Sequence, residues 1–153
     1  IDKKISKRIL PLIARDLTSS GCEIRGDKES CEIDKKIKLA DEQDFYTEFL
    51  DKIISVKIVK DLDEAIKHIA IYGSSHTESI ITEDKKSATE FLQRVNSAIV
   101  MHNTSTQFAD GGEFGLGAEV GISTGKIHAR GPVGLEQLTT YNYIVESNCG
   151  LRK

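Results

Sequence analysis

Between residues 52 and 101 the chain alternates short β-branched runs with segments of helical periodicity. Lys52–Val59 reads KIISVKIV, which is typical of a buried strand, and Ser79–Thr82 and Ala98–Met101 are shorter runs of the same kind. Asp61 and Asp84 each precede a segment with apolar residues on one helical face, where an aspartate caps the first turn. Strands separated by helices of about ten residues predict βαβ units. The expected fold class is therefore α/β, with a mostly parallel sheet flanked by helices.

The amino-terminal part carries a weaker version of this pattern. Apolar residues recur at helical spacing from Ile5 to Leu17, and Pro11 predicts a kink or a late start of that helix. A short strand is expected over Cys22–Ile24. The charged residues 26–44 show little periodicity beyond a possible strand around Ile37–Leu39.

Composition restricts the class of protein. The 153 residues suit one domain with a real core, and a net charge of -3 gives no basis for binding nucleic acid or an acidic membrane. No apolar run reaches the length of a membrane span, and no secretory signal opens the chain. Three cysteines without CxxC spacing predict reduced thiols in a cytoplasmic protein. Because the first residue is Ile1 rather than methionine, we expect a piece of a longer protein.

Two features that resemble known sites have simpler interpretations. Gly115–Gly121 matches GxGxxxG, but loop-forming residues precede it, whereas a dinucleotide fingerprint follows a buried strand. A glycine-rich turn is the favoured interpretation. Cys22 follows the end of a predicted helix, where the dipole does not activate a thiolate, so we interpret it as structural. The four histidines lack metal-ligand spacing, and His68 is expected on a helix surface.

Polar side chains collect where predicted strands meet loops. Asn103, Thr104, Ser105 and Thr106 follow a strand directly, so they can bind a small polar ligand or simply form a turn. His76 lies in a polar loop between a helix and a strand. Arg130 can clamp a carboxylate or phosphate, or fix a loop through carbonyl contacts. These residues favour an edge suited to a small anionic ligand.

Three blocks of sequence resemble the gamma-glutamyl phosphate reductase (glutamate-5-semialdehyde dehydrogenase) family of the aldehyde dehydrogenase superfamily. The blocks are Phe114–Tyr141, Val59–Thr82 and Asn103–Phe108. Ile71 stands where a small hydroxyl residue is usual in the family, and Gln107 stands where an arginine is usual.

The resemblance implies the carboxy-terminal part of an enzyme that reduces L-glutamyl 5-phosphate with NADPH in proline biosynthesis. A cysteine thiolate would displace phosphate, and hydride would then reduce the thioacyl enzyme. The family's nucleophile would lie upstream of Ile1, since none of the three cysteines matches it, so the fragment alone would be inactive. Glu48 matches a glutamate that touches the nicotinamide ribose, and residues 103–106 match a loop that lines the substrate pocket.

The same resemblance implies two parts of the chain. Residues 1–133 would belong to a catalytic domain, and residues 134–153 would form an oligomerisation strand and tail, with Leu135–Val145 as the strand. A homo-oligomer and an association with the upstream glutamate kinase would follow. The alternative that the residues leave open is a binding or interaction module without catalysis on the same scaffold.

Overall fold

The computed structural model describes residues 1–152. In chain order the regular elements are α1 (Lys3–Ser19), β1 (Glu23–Gly26), α2 (Lys28–Ile33), β2 (Lys38–Leu39), α3 (Glu42–Tyr46), β3 (Ile53–Val56), α4 (Leu62–Tyr72), β4 (Thr77–Ile80), α5 (Lys85–Arg94), β5 (Ile99–His102), a 3₁₀ turn (Thr106–Phe108), β6 (Gly121–Ser123) and β7 (Gly131–Val133).

Five of the seven strands pair in parallel. The first sheet has the order β2-β1-β3, and the second joins β4 to β5, while β6 and β7 form an antiparallel pair. The α/β class and the parallel pairing predicted from the sequence are confirmed. Among residues 1–152, however, the parallel strands form two separate sheets rather than one.

Helix α1 covers the first sheet and supplies the main core. Leu10 and Ala14 pack with Ile24, Val56 and Ile58, and all five are at least 92% buried. A second buried group lies where α5 packs on β5. Apolar burial of this kind contributes most of the driving force for folding.

The predicted helix starts are mostly right. Asp61 and Asp84 cap α4 and α5 by accepting hydrogen bonds from backbone N–H groups of the first turn. Helix α1 runs without interruption through Pro11, so the late start is wrong. The Asp2 side chain caps the helix by accepting from Lys4 N–H at 2.7 Å, and one face of the helix is buried. These two contributions to stability outweigh the cost of the backbone hydrogen bond that Pro11 cannot make.

Helices α2 and α3 were not expected from the sequence. Each has six residues or fewer, too short to display helical periodicity, and each begins after an aspartate that accepts from the first turn. Gly26 allows α2 to pack close to the end of β1. A Cβ there would lie 2.7 Å from both Ile37 and Ser30, so only glycine fits at the end of β1.

The carboxy-terminal segment corrects one prediction. Residues 135–138 form a turn, and residues 139–147 have no regular secondary structure, so the strand predicted over Leu135–Val145 is not formed within the described chain. A β-strand needs a hydrogen-bonding neighbour, and residues 1–152 offer this segment none. No helix in the same range has the length and apolar content of a membrane span.

Candidate functional site

Glu48 lies on the loop between α3 and β3. It is exposed, and in the described chain its carboxylate accepts no hydrogen bond. The preceding helix α3 is fixed by a capping box in which Asp41 and Asp44 each accept from the other's backbone N–H at 3.0 Å. The loop thus follows a short, well-anchored helix, and the Glu48 carboxylate can accept a hydrogen bond from a hydroxyl group of a ligand.

Arg25 on β1 secures this loop from the neighbouring strand. Its Nη1 donates to Asp44 Oδ1 at 2.7 Å, and its guanidinium carbon lies 5.0 Å from the centre of the Phe49 ring. Hydrogen bonding to Arg25 lowers the pKa of Asp44, and hydrogen bonding to Glu23 and Asp44 raises the pKa of Arg25. All three groups therefore stay charged at neutral pH.

His76 and Arg130 lie near the amino-terminal edge of the β4–β5 sheet. The His76 carbonyl accepts from Ile99 N–H, and its Nδ1 is 2.6 Å from Thr77 Oγ1. Arg130 donates through Nη1 to Asn96 Oδ1 at 3.1 Å and through Nη2 to the Asn96 carbonyl at 2.8 Å. Arg130 thus holds the loop before β5 through a carbonyl contact, while its buried Nε has no hydrogen-bond partner among residues 1–152.

Residues 103–106 lie at the opposite edge, after the last residue of β5. Asn103, at φ +53°, accepts from Thr82 N–H at 2.8 Å and donates to the Thr82 carbonyl at 3.0 Å. The Thr104 carbonyl accepts from Ser79 Oγ, and the Ser105 hydroxyl accepts from the N–H of Gln107. The side-chain amide of Asn103 is thus used in forming the turn, whereas the side chain of Thr106 is exposed to solvent.

The predicted residues therefore do not converge within this chain. A four-residue strand spans about 13 Å, and that length separates His76 from Asn103. Glu48 lies on the loop that leads into β3, a strand of the other sheet.

Glu78 is a candidate that sequence reasoning did not select. Its side chain points into partly buried surroundings, and burial raises its pKa despite a long hydrogen bond of 3.5 Å from Ser97 Oγ. Ser97 adjoins Asn96, which Arg130 holds, so Glu78 and Arg130 flank one loop. The only sequence signal was the position of Glu78 at the end of the His76-Thr77-Glu78 run.

A cleft of about 360 Å³ lies at the carboxyl edge of the first sheet. Three aromatic side chains line it, with the His68 ring 5.3 Å from Phe45 and 4.6 Å from Tyr72. His68 lies on helix α4, as expected, but it is half-buried rather than fully exposed, and burial lowers its pKa. The His68 ring packs against Phe45, which lies on α3, a helix that the sequence did not reveal.

The remaining candidates are structural in the described chain. Gly115 and Gly117 have φ near +80° in turns that no helix follows, so the segment lacks the geometry of a dinucleotide fingerprint. Cys22 and Cys31 are half-buried free thiols. Residues 1–152 contain no group of three His, Cys, Asp or Glu side chains suited to a metal.

Similarity to known proteins covers nearly the whole chain. No protein-family model matches it. It is 57% identical over 144 residues to the gamma-glutamyl phosphate reductase of Parvibaculum lavamentivorans and 54% identical over 145 residues to that of Rhodospirillum rubrum. These alignments cover 94% and 95% of this chain but 34% of each relative, so the chain spans about a third of their length.

Solved structures give the same result. The crystal structure of gamma-glutamyl phosphate reductase from Thermotoga maritima superimposes with a TM-score of 0.93 over 100% of this chain and 37% of that one, at 47% identity. The Saccharomyces cerevisiae enzyme gives a TM-score of 0.56 over 76% of this chain, at 30% identity. The fold is thus that of one region of a larger α/β enzyme. More particularly, the chain is similar to the carboxy-terminal region of gamma-glutamyl phosphate reductases.

Proposed function

We propose that this chain is the carboxy-terminal part of an NADPH-dependent reductase that converts L-glutamyl 5-phosphate to L-glutamate 5-semialdehyde and phosphate in proline biosynthesis. The observation that carries the proposal is the joint agreement of sequence and backbone: 57% identity over 94% of the chain and a TM-score of 0.93 over all of it. The superposition covers the whole chain, and therefore includes the loops that would carry substrate and cofactor contacts.

Glu48 is the proposed contact of this chain with the cofactor. Its exposed carboxylate has acceptor capacity that no group in residues 1–152 uses, which fits the hydroxyl groups of a ribose. When bound, NADPH supplies the hydride for the reduction. The role of Glu48 is to hold the ribose end, and so to orient the ring that it carries.

The direct substrate contacts of this chain would come from the carboxyl edge of the β4–β5 sheet. Thr104, Ser105 and Thr106 offer hydroxyl groups on a loop whose backbone Asn103 and Ser79 hold in place. His76 and Arg130 would act from the other edge, Arg130 by ordering the loop around Asn96. With Gln107 in place of the family's arginine, one cation is missing near the first loop.

The thiol that forms the acyl enzyme would come from a part of the complete enzyme that lies outside this chain. Cys22 and Cys31 direct their Sγ atoms towards backbone carbonyls 3.6 Å away, and neither adjoins Glu48 or residues 103–106 in sequence or sheet. Attack of a thiolate on the acyl phosphate would release phosphate, and the resulting thioester carbonyl would be the hydride acceptor.

The proposal includes an assembly. Residues 1–133 would belong to the catalytic domain, and residues 134–153 would pair with a second copy of the chain in a homo-oligomer. A cytoplasmic location, and an association with the glutamate kinase that makes the unstable acyl phosphate, fit this role.

The complete enzyme that contains this sequence tests the proposal by the reverse reaction. Purified enzyme should reduce NADP⁺ when given both L-glutamate 5-semialdehyde and phosphate, and neither compound alone should suffice. Absence of turnover with both present, in a folded sample, would refute the proposed activity and favour a module without catalysis.

A further inference from the structure

The position of Glu48 depends on its neighbours rather than on regular structure. Residues 47–52 lie outside the helices and strands, and Leu50 adopts φ +51°, in the left-handed region that costs energy for a leucine. Glu48 itself accepts no hydrogen bond from residues 1–152. Its carboxylate can therefore be placed only by the segments on either side.

Arg25 contacts both of those segments. Asp44, which its Nη1 binds at 2.7 Å, lies four residues before Glu48, and Phe49, whose ring it faces at 5.0 Å, follows Glu48 directly. A planar guanidinium can hold a carboxylate with its edge while an aromatic ring faces its plane. One side chain thus spans the loop that carries Glu48.

The burial of these groups makes the contacts more than a surface ion pair. The Asp44 side chain is 12% exposed and that of Arg25 is 32% exposed, so solvent screens the pair incompletely. Asp44 is also held at its carbonyl, which accepts from Ser55 Oγ at 2.7 Å. Ser55 pairs with Arg25 across β1 and β3, which places the whole anchor on one row of the sheet.

We propose that Arg25 is a positioning residue for Glu48. This inference rests on the proposed function, in which Glu48 holds the cofactor ribose. Loss of the guanidinium would free the loop on both sides of Glu48 and weaken cofactor binding, while the groups that act on the substrate stay in place.

Steady-state kinetics of the complete enzyme, with NADP⁺ as the varied substrate, test this role. Loss of the Glu48 contact, as Glu48→Gln, should raise the KM for NADP⁺ about fivefold, and Arg25→Gln should raise it about threefold with little change in kcat. The double variant should have the KM of Glu48→Gln alone, because Arg25 acts through Glu48. Arg25→Lys, which keeps the charge but not the planar fork, should recover part of the loss.

Lys38→Gln is the matched control. Lys38 pairs with Arg25 across β1 and β2 and bonds to Glu23, the other partner of Arg25, but it forms no hydrogen bond or ion pair with residues 44–49. It should leave the KM for NADP⁺ unchanged. Hydrogen exchange of the 153-residue chain gives a second readout, in which Arg25→Gln, and not Lys38→Gln, should speed exchange at residues 44–50.

The outcomes separate the inference from the proposed function. Faster exchange with an unchanged KM, or an Arg25→Gln effect that adds fully to that of Glu48→Gln, would overturn the positioning role alone. An unsubstituted enzyme without turnover would overturn the proposed function, and the inference with it. A rise in KM that disappears in the Glu48→Gln background supports both.

Discussion

Arg130 joins the glycine-rich segment to the loop before β5 through two hydrogen bonds to one residue. Replacing it by alanine, Arg130→Ala, removes the donors to Asn96 Oδ1 and to the Asn96 carbonyl. Because both bonds are partly exposed, we expect a loss of about 1 kcal/mol in the free energy of unfolding. Thermal unfolding of the chain should show a fall in Tm of about 3 °C.

The variant Asn96→Ala provides the comparison. It removes the Oδ1 acceptor but keeps the backbone carbonyl that Arg130 Nη2 binds at 2.8 Å, so its effect on Tm should be smaller. Equal Tm values for Arg130→Ala and the unsubstituted chain would show that Arg130 does not order this loop.

At the scale of elements, Asp27 ties three segments together. Its carboxylate accepts from Ser30 N–H and Oγ–H at the start of α2 and from Ile58 N–H after β3, with Lys57 Nζ at 3.5 Å. Burial would raise the pKa of Asp27, but these hydrogen bonds and the Lys57 charge outweigh it and lower that pKa. A carboxyl with a lowered folded-state pKa stabilises the fold fully above its unfolded pKa, and that stability is lost as the pH falls through the folded-state pKa.

The variant Asp27→Asn tests this dependence. It places an N–H donor where Ile58 N–H needs an acceptor, so at pH 7 it should cost about 2 kcal/mol of the free energy of unfolding. The difference from the unsubstituted chain should shrink as the pH drops below about 4, because the carboxyl of the unfolded chain takes up its proton before the native carboxyl with its lowered pKa does. Urea titrations at several pH values measure this difference in the free energy of unfolding. The substitution Asp51→Asn, at an exposed residue, is the control. A difference that does not change with pH would contradict the assignment.

Helix α1 should show the contrast between its two faces. Leu10 is fully buried against the first sheet, whereas Leu12, two residues on, is 48% exposed. We expect Leu10→Ala to cost about 3 kcal/mol in the free energy of unfolding, because it leaves a cavity among Ala14, Ile24 and Ile58. Leu12→Ala should cost less than about 1 kcal/mol, and denaturant unfolding of both variants measures the contrast. Similar costs for the two would mean that the helix is rotated from this packing.

The elements that the sequence predicted are those whose local signals agree. Asp61 and Asp84 cap segments long enough to show an apolar face, so the starts of α4 and α5 were predicted correctly. The short α2 and α3 show only their aspartate caps, and their stability comes from contacts with distant residues such as Arg25 and Ile58. Periodicity within a window cannot report such contacts.

At the scale of the whole molecule, the sequence predicted that the candidate site residues lie in loops, but it could not predict how these loops are arranged relative to one another. Which edge of a sheet a loop occupies depends on strand direction and pairing. His76 precedes β4 and Asn103 follows β5, so parallel pairing sends them to opposite edges. Arg130 lies at the edge where His76 lies, as its hydrogen bond to Asn96 shows. These two residues, Arg130 and Asn96, are 34 positions apart, so local sequence patterns could not predict the contact.

The segment after the last strand carries the proposed oligomer contact. Tyr143, Ile144 and Val145 are at least 80% exposed, an unusual density of apolar surface for a chain end. In the complete enzyme Ile144→Glu should shift the species seen by sedimentation velocity to a smaller assembly, because a buried unpaired carboxylate is costly. The neighbouring Glu146→Gln should not. An unchanged distribution for Ile144→Glu would place the subunit contact elsewhere.

The most direct test is a chimera in which this chain replaces the corresponding third of the Parvibaculum lavamentivorans reductase. We expect phosphate-dependent reduction of NADP⁺ by L-glutamate 5-semialdehyde at a rate within about tenfold of the parent enzyme, since a tenfold loss corresponds to about 1.4 kcal/mol. A folded chimera with no turnover, beside an active parent, would contradict the claim that this chain is a working carboxy-terminal part of such an enzyme.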